Sequence, residues 1–119
     1  MNKYEAPALI AAKFPMLDSE LLFLTITGNI NKAMSIFAGY TRNLITTRNY
    51  LKVHQCMALA NMIYEQGDAI VKNAVSNIYI YSFSLMSLCC NKVEWHIIQS
   101  KIPFSLYALY IRQVMQSSC

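Results

Sequence analysis

Charged residues are scarce in this sequence. They make up 13% of its 119 residues, about half of the ~25% that is usual in soluble domains, while hydrophobic residues make up 55%. Solubility must therefore depend on Asn, Ser, Thr and Gln. A chain of this length fits one domain with one core, so residues 1–119 are expected to form a single helical domain.

Glycine and proline are also rare, with three of each in the chain. Every long segment has helical rather than alternating spacing of its apolar residues. The sequence therefore predicts an all-α fold of five or six antiparallel helices, packed as a bundle or as a small helical-repeat array. The expected helices cover about Glu5 to Lys13, Asp18 or Ser19 to Gly28, Ile30 to Thr46, Tyr50 to Gln66, Ala69 to Asn91 and Phe104 to Gln116.

Local signals set these boundaries. Pro15 should end the first helix, because proline has no N–H to donate and disfavours helix in the residue before it. Asp18 or Ser19 should cap the second helix. The segment "KVEWHIIQSKIPF" is a connector or a short helix.

Three more residues predict how the fourth helix begins and how it passes into the fifth. Asn49 is a plausible N-cap of the fourth helix and Asp68 of the fifth. Gly67 is expected to adopt the left-handed conformation that closes the fourth helix. The two helices should therefore meet across Gly67 and Asp68.

The sequence has no CxxC motif and no cysteine spacing typical of a zinc site or a disulfide framework. Its cysteines are Cys56, Cys89, Cys90 and Cys119. Adjacent residues point about 100° apart on a helix, so Cys89 and Cys90 cannot readily share a metal. No metal and no cofactor are expected. The N-terminal "MNKYEAPALIAAKFP" is unlike a secretory signal, so a reducing, cytoplasmic location is expected.

No charge occurs from Asn73 to Asn91, a stretch near membrane-spanning length. Seven of these residues are Asn or Ser, which are costly in hydrocarbon. A half-buried helix of a soluble protein can instead point them at water. No membrane span is expected.

Motifs for catalysis and for nucleic-acid binding are absent. The net charge is +4, but the basic residues are scattered and do not converge on a phosphate groove. No GxSxG, GxGxxG, HExxH or phosphate loop occurs. His54, Asn61 and Glu65 share one stripe of the fourth helix, yet eleven residues span about 16 Å of helix. This stripe is interpreted as a solvated or hydrogen-bonding face, and the protein as not an enzyme.

The fifth predicted helix has one unusual face. Its core stripe is expected to contain Val71, Val75, Ile78, Leu85 and Cys89. The opposite arc is polar but has Ile80 near its centre. Ile80 is either a lone exposed residue, or covered by another helix, or an anchor for a protein partner. Under the last interpretation the candidate partner-binding residues are Tyr79, Ile80, Phe83, Lys72, Asn73, Ser76, Asn77, Ser84, Glu65 and Asp68.

The hairpin "ALANMIYEQGDAIVKNAVSNIYIYS" resembles the helical hairpin of tetratricopeptide-type arrays. Together with "IPFSLYALYIRQ", it resembles small helical bacterial immunity proteins of the contact-dependent inhibition type. That resemblance implies a protein that neutralises a toxin, for example a nuclease, by binding and occluding it. A basic toxin would require a local concentration of acids such as Glu65, Asp68, Asp18 and Glu20. The alternative is a helical-repeat-like adaptor or regulatory subunit, homodimeric through its low-charge face.

The cysteine spacing yields a first prediction. The far-UV circular dichroism of the purified protein should be strongly helical and should not change when EDTA or dithiothreitol is added, because no metal or disulfide is needed for folding. A large loss of helical signal with either reagent would mean that the cysteines or histidines have a structural role.

Overall fold

The computed structural model describes residues 1–117, which are helical nearly throughout. The helices are α1 (Glu5–Lys13), α2 (Asp18–Thr27), α3 (Ile30–Thr46), α4 (Tyr50–Gln66), α5 (Ala69–Ala74), α6 (Phe83–Ser87), α7 (Lys92–Ser100) and α8 (Phe104–Ser117). A 3₁₀ turn, Pro15–Leu17, joins α1 to α2, and a π-helical segment, Val75–Ile80, continues α5. No strand occurs within this range, so the predicted all-α class is confirmed.

The helices are more numerous than expected. With α5, the π-helical segment and α6 taken as one rod, residues 1–117 form seven helices rather than five or six. The additional helix is α7, in the segment predicted as a connector or a short helix. It begins with a capping box, because the Asn91 side chain accepts the Glu94 N–H at 2.8 Å and the Glu94 carboxylate accepts the Asn91 N–H at 3.1 Å.

The elements pack in a thin arrangement of 39 × 31 × 19 Å. The shortest dimension corresponds to two layers of helices, since a helix with its side chains is about 10 Å across. Helices α1 and α2 pack on α3, while α8 packs on α4 and the π-helical segment. On α4, Leu59 lies beside Phe14, and Asn61 accepts the backbone N–H of Leu106 at 3.3 Å. Leu59 and Asn61 point about 160° apart, so the α1–α2 hairpin and α8 lie on opposite sides of α4.

Most predicted boundaries agree with the structure. Helices α1, α3 and α4 have the predicted bounds, and α1 ends before Pro15. Asn49 and Asp68 cap α4 and α5, accepting the N–H groups of Lys52 and Val71 at 3.4 and 3.0 Å. The predicted cap of α2 by Asp18 or Ser19 is wrong. The 3₁₀ turn runs directly into α2, and the Asp18 N–H donates to the Pro15 carbonyl instead.

Gly67 does not adopt the predicted left-handed conformation. Its φ and ψ are −74° and 152°, which is extended backbone. Glycine is nevertheless required there, because a Cβ atom would lie 2.7 Å from both the Ile63 carbonyl oxygen and Val71 Cγ1. Left-handed backbone occurs instead at Gly28, which ends α2 with φ 71°, and at Arg48, with φ 59°.

The π-helical segment changes which side chains are buried. Up to Val75 the predicted core stripe is correct, with Val71 and Val75 buried. Bonding from i to i+5 then adds one residue to the turn, which rotates all later side chains by about 100° relative to an α-helix. The buried hydrophobic side chains of the rod after Val75 are therefore Tyr79, Ile80, Phe83 and Met86, whereas Leu85, predicted in the core, is half exposed.

The rotated side chains complete an aromatic core. Tyr79 stacks on Phe37 with ring centroids 5.1 Å apart, and Phe83 makes edge-on contacts with Tyr79, Trp95 and Tyr110. The Tyr79 hydroxyl is within hydrogen-bonding distance, 2.9 Å, of Thr41 Oγ1. Burial raises the pKa of Tyr79 well above its ordinary value. This neutral phenol links the rod to α3.

A substitution at Ile80 tests whether the π-helical turn rotates the side chains in this way. The Ile80 side chain is 1% exposed, so Ile80→Asp would place a carboxylate in the core and should lower the free energy of unfolding by about 3 kcal/mol or more. Ser84→Ala, at an exposed position on the same predicted arc, should change it by less than about 0.5 kcal/mol. Urea titrations of both variants measure the difference. Equal stability of Ile80→Asp and the natural protein would mean that Ile80 faces solvent.

Candidate partner-binding surface

Three of the predicted partner-binding residues do not lie on the surface. Tyr79, Ile80 and Phe83 are in the core, because the π-helical turn rotates them inward. Their expected exposure is wrong, and the second interpretation of Ile80, cover by other helices of the same chain, is correct. The remaining seven residues are polar: Lys72, Asn73, Asn77, Ser84, Glu65 and Asp68 are exposed and Ser76 is half-buried. This set has no apolar centre.

Several of these polar side chains support the fold. The Glu65 carboxylate accepts a hydrogen bond from Asn61 Nδ2, and Asn61 connects α4 to α8. Asp68 caps α5, and the Lys72 ammonium lies 5.6 Å from the centre of the Tyr64 ring. The acids Glu65 and Asp68 are therefore already engaged within the chain.

Helix α2 has an exposed apolar side that was not predicted from the sequence. Only Leu21 and Leu24 of this helix are buried. Leu22, Phe23 and Ile26 are 50%, 67% and 80% exposed, and at 100° per residue they fall within about 100°, opposite the buried pair. With Met16, also exposed, they form what we call the α2 ridge. The available signal was "ELLFLTIT", which is apolar all round.

The α2 ridge is flanked by acids. Asp18 and Glu20 are exposed in the first turn of α2, where carboxylates are favourably placed next to the free N–H groups of the helix. Helix α2 contains no cation. The surface of this helix is therefore apolar with an acidic end.

A second exposed surface lies between α7 and α8. Its groove has a volume of about 490 Å³ and is lined by His96, Gln99, Ser100, Ile102, Phe104 and Tyr107. We call it the α7–α8 groove. Phe104 is 86% exposed, and exposed Val93 and Ile97 continue the apolar surface along α7. Lys92 and Lys101 are exposed at the two ends of α7.

The acid of α7, Glu94, points away from this groove and holds the helix in place. Its Oε2 accepts the Tyr50 hydroxyl at 2.5 Å and Arg48 Nε at 2.9 Å. The Tyr50 hydrogen bond, the Asn91 N–H and Arg48 lower the pKa of Glu94. The Glu94 carboxylate is therefore paired with Arg48, whereas Lys92 and Lys101 form no ion pair with the residues that the structure describes.

Comparison with protein families places most of the chain in a known family. The model of the family described as a domain of unknown function, DUF7674, matches residues 7–116. The chain belongs to the DUF7674 family. No curated protein and no solved structure matches the chain.

Reactive side chains of this DUF7674 chain are dispersed. Burial raises the pKa of the Cys56 thiol to about 11, which leaves it protonated at neutral pH. Cys89 and Cys90 are free and half-buried, and Cys119 lies outside the described residues. Within residues 1–117, no three His, Cys, Asp or Glu side chains are close enough to hold a metal ion. None of the helices in that range has both the length and the apolar character needed to cross a bilayer.

His54 lies apart from Glu65, as its predicted spacing requires. Its Nδ1 atom is buried without a hydrogen-bond partner among the described residues. Burial and, to a smaller extent, the nearby Lys101 lower the pKa of His54. The lowered pKa favours the neutral form of His54, which lies on α4 within electrostatic range of Lys101.

The lowered pKa of His54 predicts how stability depends on pH. Because the unfolded chain binds this proton more tightly, the contribution of neutral His54 is complete above about pH 6.5 and is lost as the pH falls below that value. Urea midpoints measured between neutral and mildly acidic pH should fall for the natural protein and fall less for His54→Gln. His96→Gln, at an exposed position, is the control. Identical pH profiles for the natural protein and His54→Gln would contradict the assignment.

Proposed function

We propose that this chain is a non-catalytic protein-binding protein and, most concretely, a bacterial immunity protein that acts in the cytoplasm by binding and occluding a toxin. The observation that carries the proposal is the α2 ridge. Interface centres are depleted of charge and enriched in aromatic and large apolar side chains. The ridge has this composition and lies on a helix that is already folded against α1 and α3.

The charges around the ridge indicate which charges the partner should carry. The chain has a net charge of +4, which is unfavourable for binding a cationic toxin such as a nuclease. Asp18 and Glu20, however, concentrate negative charge beside the ridge. Complementary charges steer association and select among partners. The surface therefore suits a partner with an apolar depression bordered by basic side chains.

The other side chains support binding rather than catalysis. General acid–base chemistry needs a titratable group within reach of a substrate, held by a second group. Among the described residues His54 Nδ1 has no such partner, the Glu65 carboxylate is hydrogen-bonded to Asn61, and Cys56 is a buried thiol. A binding role needs none of these groups.

The proposal is tested by co-expressing this chain with the product of the gene immediately upstream. If that gene encodes a large secreted protein with a toxic C-terminal domain, co-expression of this chain should restore growth. Phe23→Ser should weaken the complex by more than about 2 kcal/mol, roughly 30-fold, while changing stability by less than about 0.5 kcal/mol. Glu20→Lys should slow association and reduce its salt dependence.

The matched control is Tyr81→Ser. Tyr81 is 68% exposed, like Phe23, but lies beside Gly39 and Arg42 on another face. Its replacement should leave binding unchanged. A complex that forms equally well with Phe23→Ser would reject the ridge as the binding surface. An adjacent product that is not toxic would favour the adaptor or regulatory-subunit alternative, which a pull-down from native lysate would then address.

A further inference from the structure

We propose that copies of this chain associate head to tail, with the α2 ridge of one copy docked in the α7–α8 groove of the next. Both surfaces belong to the chain itself, and they are complementary in shape and in charge. The ridge is a projecting row of apolar side chains with acids at one end. The groove is a concave aromatic surface with lysines on its helix.

The shapes are complementary. Phe23 and Ile26 project from α2, and both are more than half exposed. The groove between α7 and α8 has a volume of about 490 Å³ and is bordered by Phe104 and Tyr107, which is enough for one or two such side chains. Apolar side chains on one partner that fill aromatic-lined pockets on the other are the usual centre of a protein interface.

The charges are complementary as well. Asp18 and Glu20 lie on the ridge helix, whereas Lys92 and Lys101 lie at the ends of the groove helix. Among the described residues, no acidic side chain lines the groove or the adjoining depression along α7, and Glu94 is paired with Arg48. Two grooves facing each other would bring lysines together, and two ridges would bring acids together. The charges therefore favour a ridge-to-groove pair over a symmetric one.

The position of the two surfaces excludes their meeting within one copy. The ridge belongs to the α1–α2 hairpin and the groove borders α8, and the hairpin and α8 lie on opposite sides of α4. A contact between different surfaces of neighbouring copies is heterologous, so it propagates into a chain of copies or closes as a ring. Every copy in a ring, and every interior copy in an open chain, covers its ridge and its groove simultaneously.

The available area is adequate for a specific contact. Met16, Leu22, Phe23 and Ile26 are half to four-fifths exposed, which corresponds to on the order of 400–500 Å² of apolar surface for side chains of this size. A standard interface buries about 800 Å² on each partner. The ridge supplies more than half of that, and the flanking polar side chains supply the rim.

The test measures the molar mass of the purified full chain in solution. Sedimentation velocity from micromolar to millimolar concentration should show the mass rising above the 13.6 kDa of one copy, and high salt should reduce the association. Phe23→Ser and Phe104→Ser should each weaken it at least about tenfold. Tyr81→Ser should associate like the natural protein. Circular dichroism establishes that each variant is folded.

Mixing the two variants is decisive. Phe23→Ser retains the groove and Phe104→Ser retains the ridge, so an equimolar mixture should form a complex of one copy of each, which cannot grow further. A symmetric ridge-to-ridge dimer would instead survive Phe104→Ser and would not be restored by mixing. That result would overturn the proposal, as would a natural protein that stays at 13.6 kDa throughout. Because only the purified chain is used, a negative result in this test does not decide the toxin test, and the reverse also holds.

Discussion

One extra residue in the turn at Val75–Ile80 determines which side chains of the central rod face inward. With a regular α-helix, Ile78 and Leu85 would point into the core. With the π-helical turn, Tyr79 and Phe83 do so, and they connect Phe37 on α3 to Trp95 on α7 and Tyr110 on α8. A π-turn is a rare backbone geometry, and the burial of two aromatic side chains, each worth about 1.5 to 3 kcal/mol, stabilises it here. The positions of α7 and α8, and so the groove between them, depend on this turn.

Much of the fold could be predicted because its boundaries depend on local chemistry. Asn49 and Asp68 accept N–H groups three residues away, and Pro15 acts through its own missing N–H and on the residue before it, so these effects can be read from the sequence. The conformation of Gly67 was predicted less well, because only two residues, Gly67 and Asp68, separate the two helices there. The backbone must turn directly from the end of α4 into the Asp68 cap, whose φ and ψ of −74° and −178° are also extended. A left-handed residue would suit the first helix but not the entry to the second.

The candidate surface could not be predicted in the same way. A period of 100° per residue places Ile80 outward, and nothing local within "VSNIYI" indicates an i to i+5 turn. The π-helical register is stabilised by tertiary partners, such as Thr41 on α3, which lie far away in the sequence. The exposure of the α2 ridge could not be predicted for a related reason. "ELLFLTIT" forms the expected helix, but which of its apolar sides is covered depends on the number of helix layers.

The number of helix layers explains why α2 has an exposed apolar side. A helix that is apolar all round is expected in the interior, between two neighbouring layers. The described residues form two layers across 19 Å, so α2 has a neighbour on its inner side, at Leu21 and Leu24, and none of its own chain on the ridge. In a chain where charged residues are 13% of the total, few side chains are available to make that outer side polar. Asp18 and Glu20 lie at its end and leave its centre apolar, so a docked partner, whether a toxin or another copy, would supply the third layer that this helix lacks.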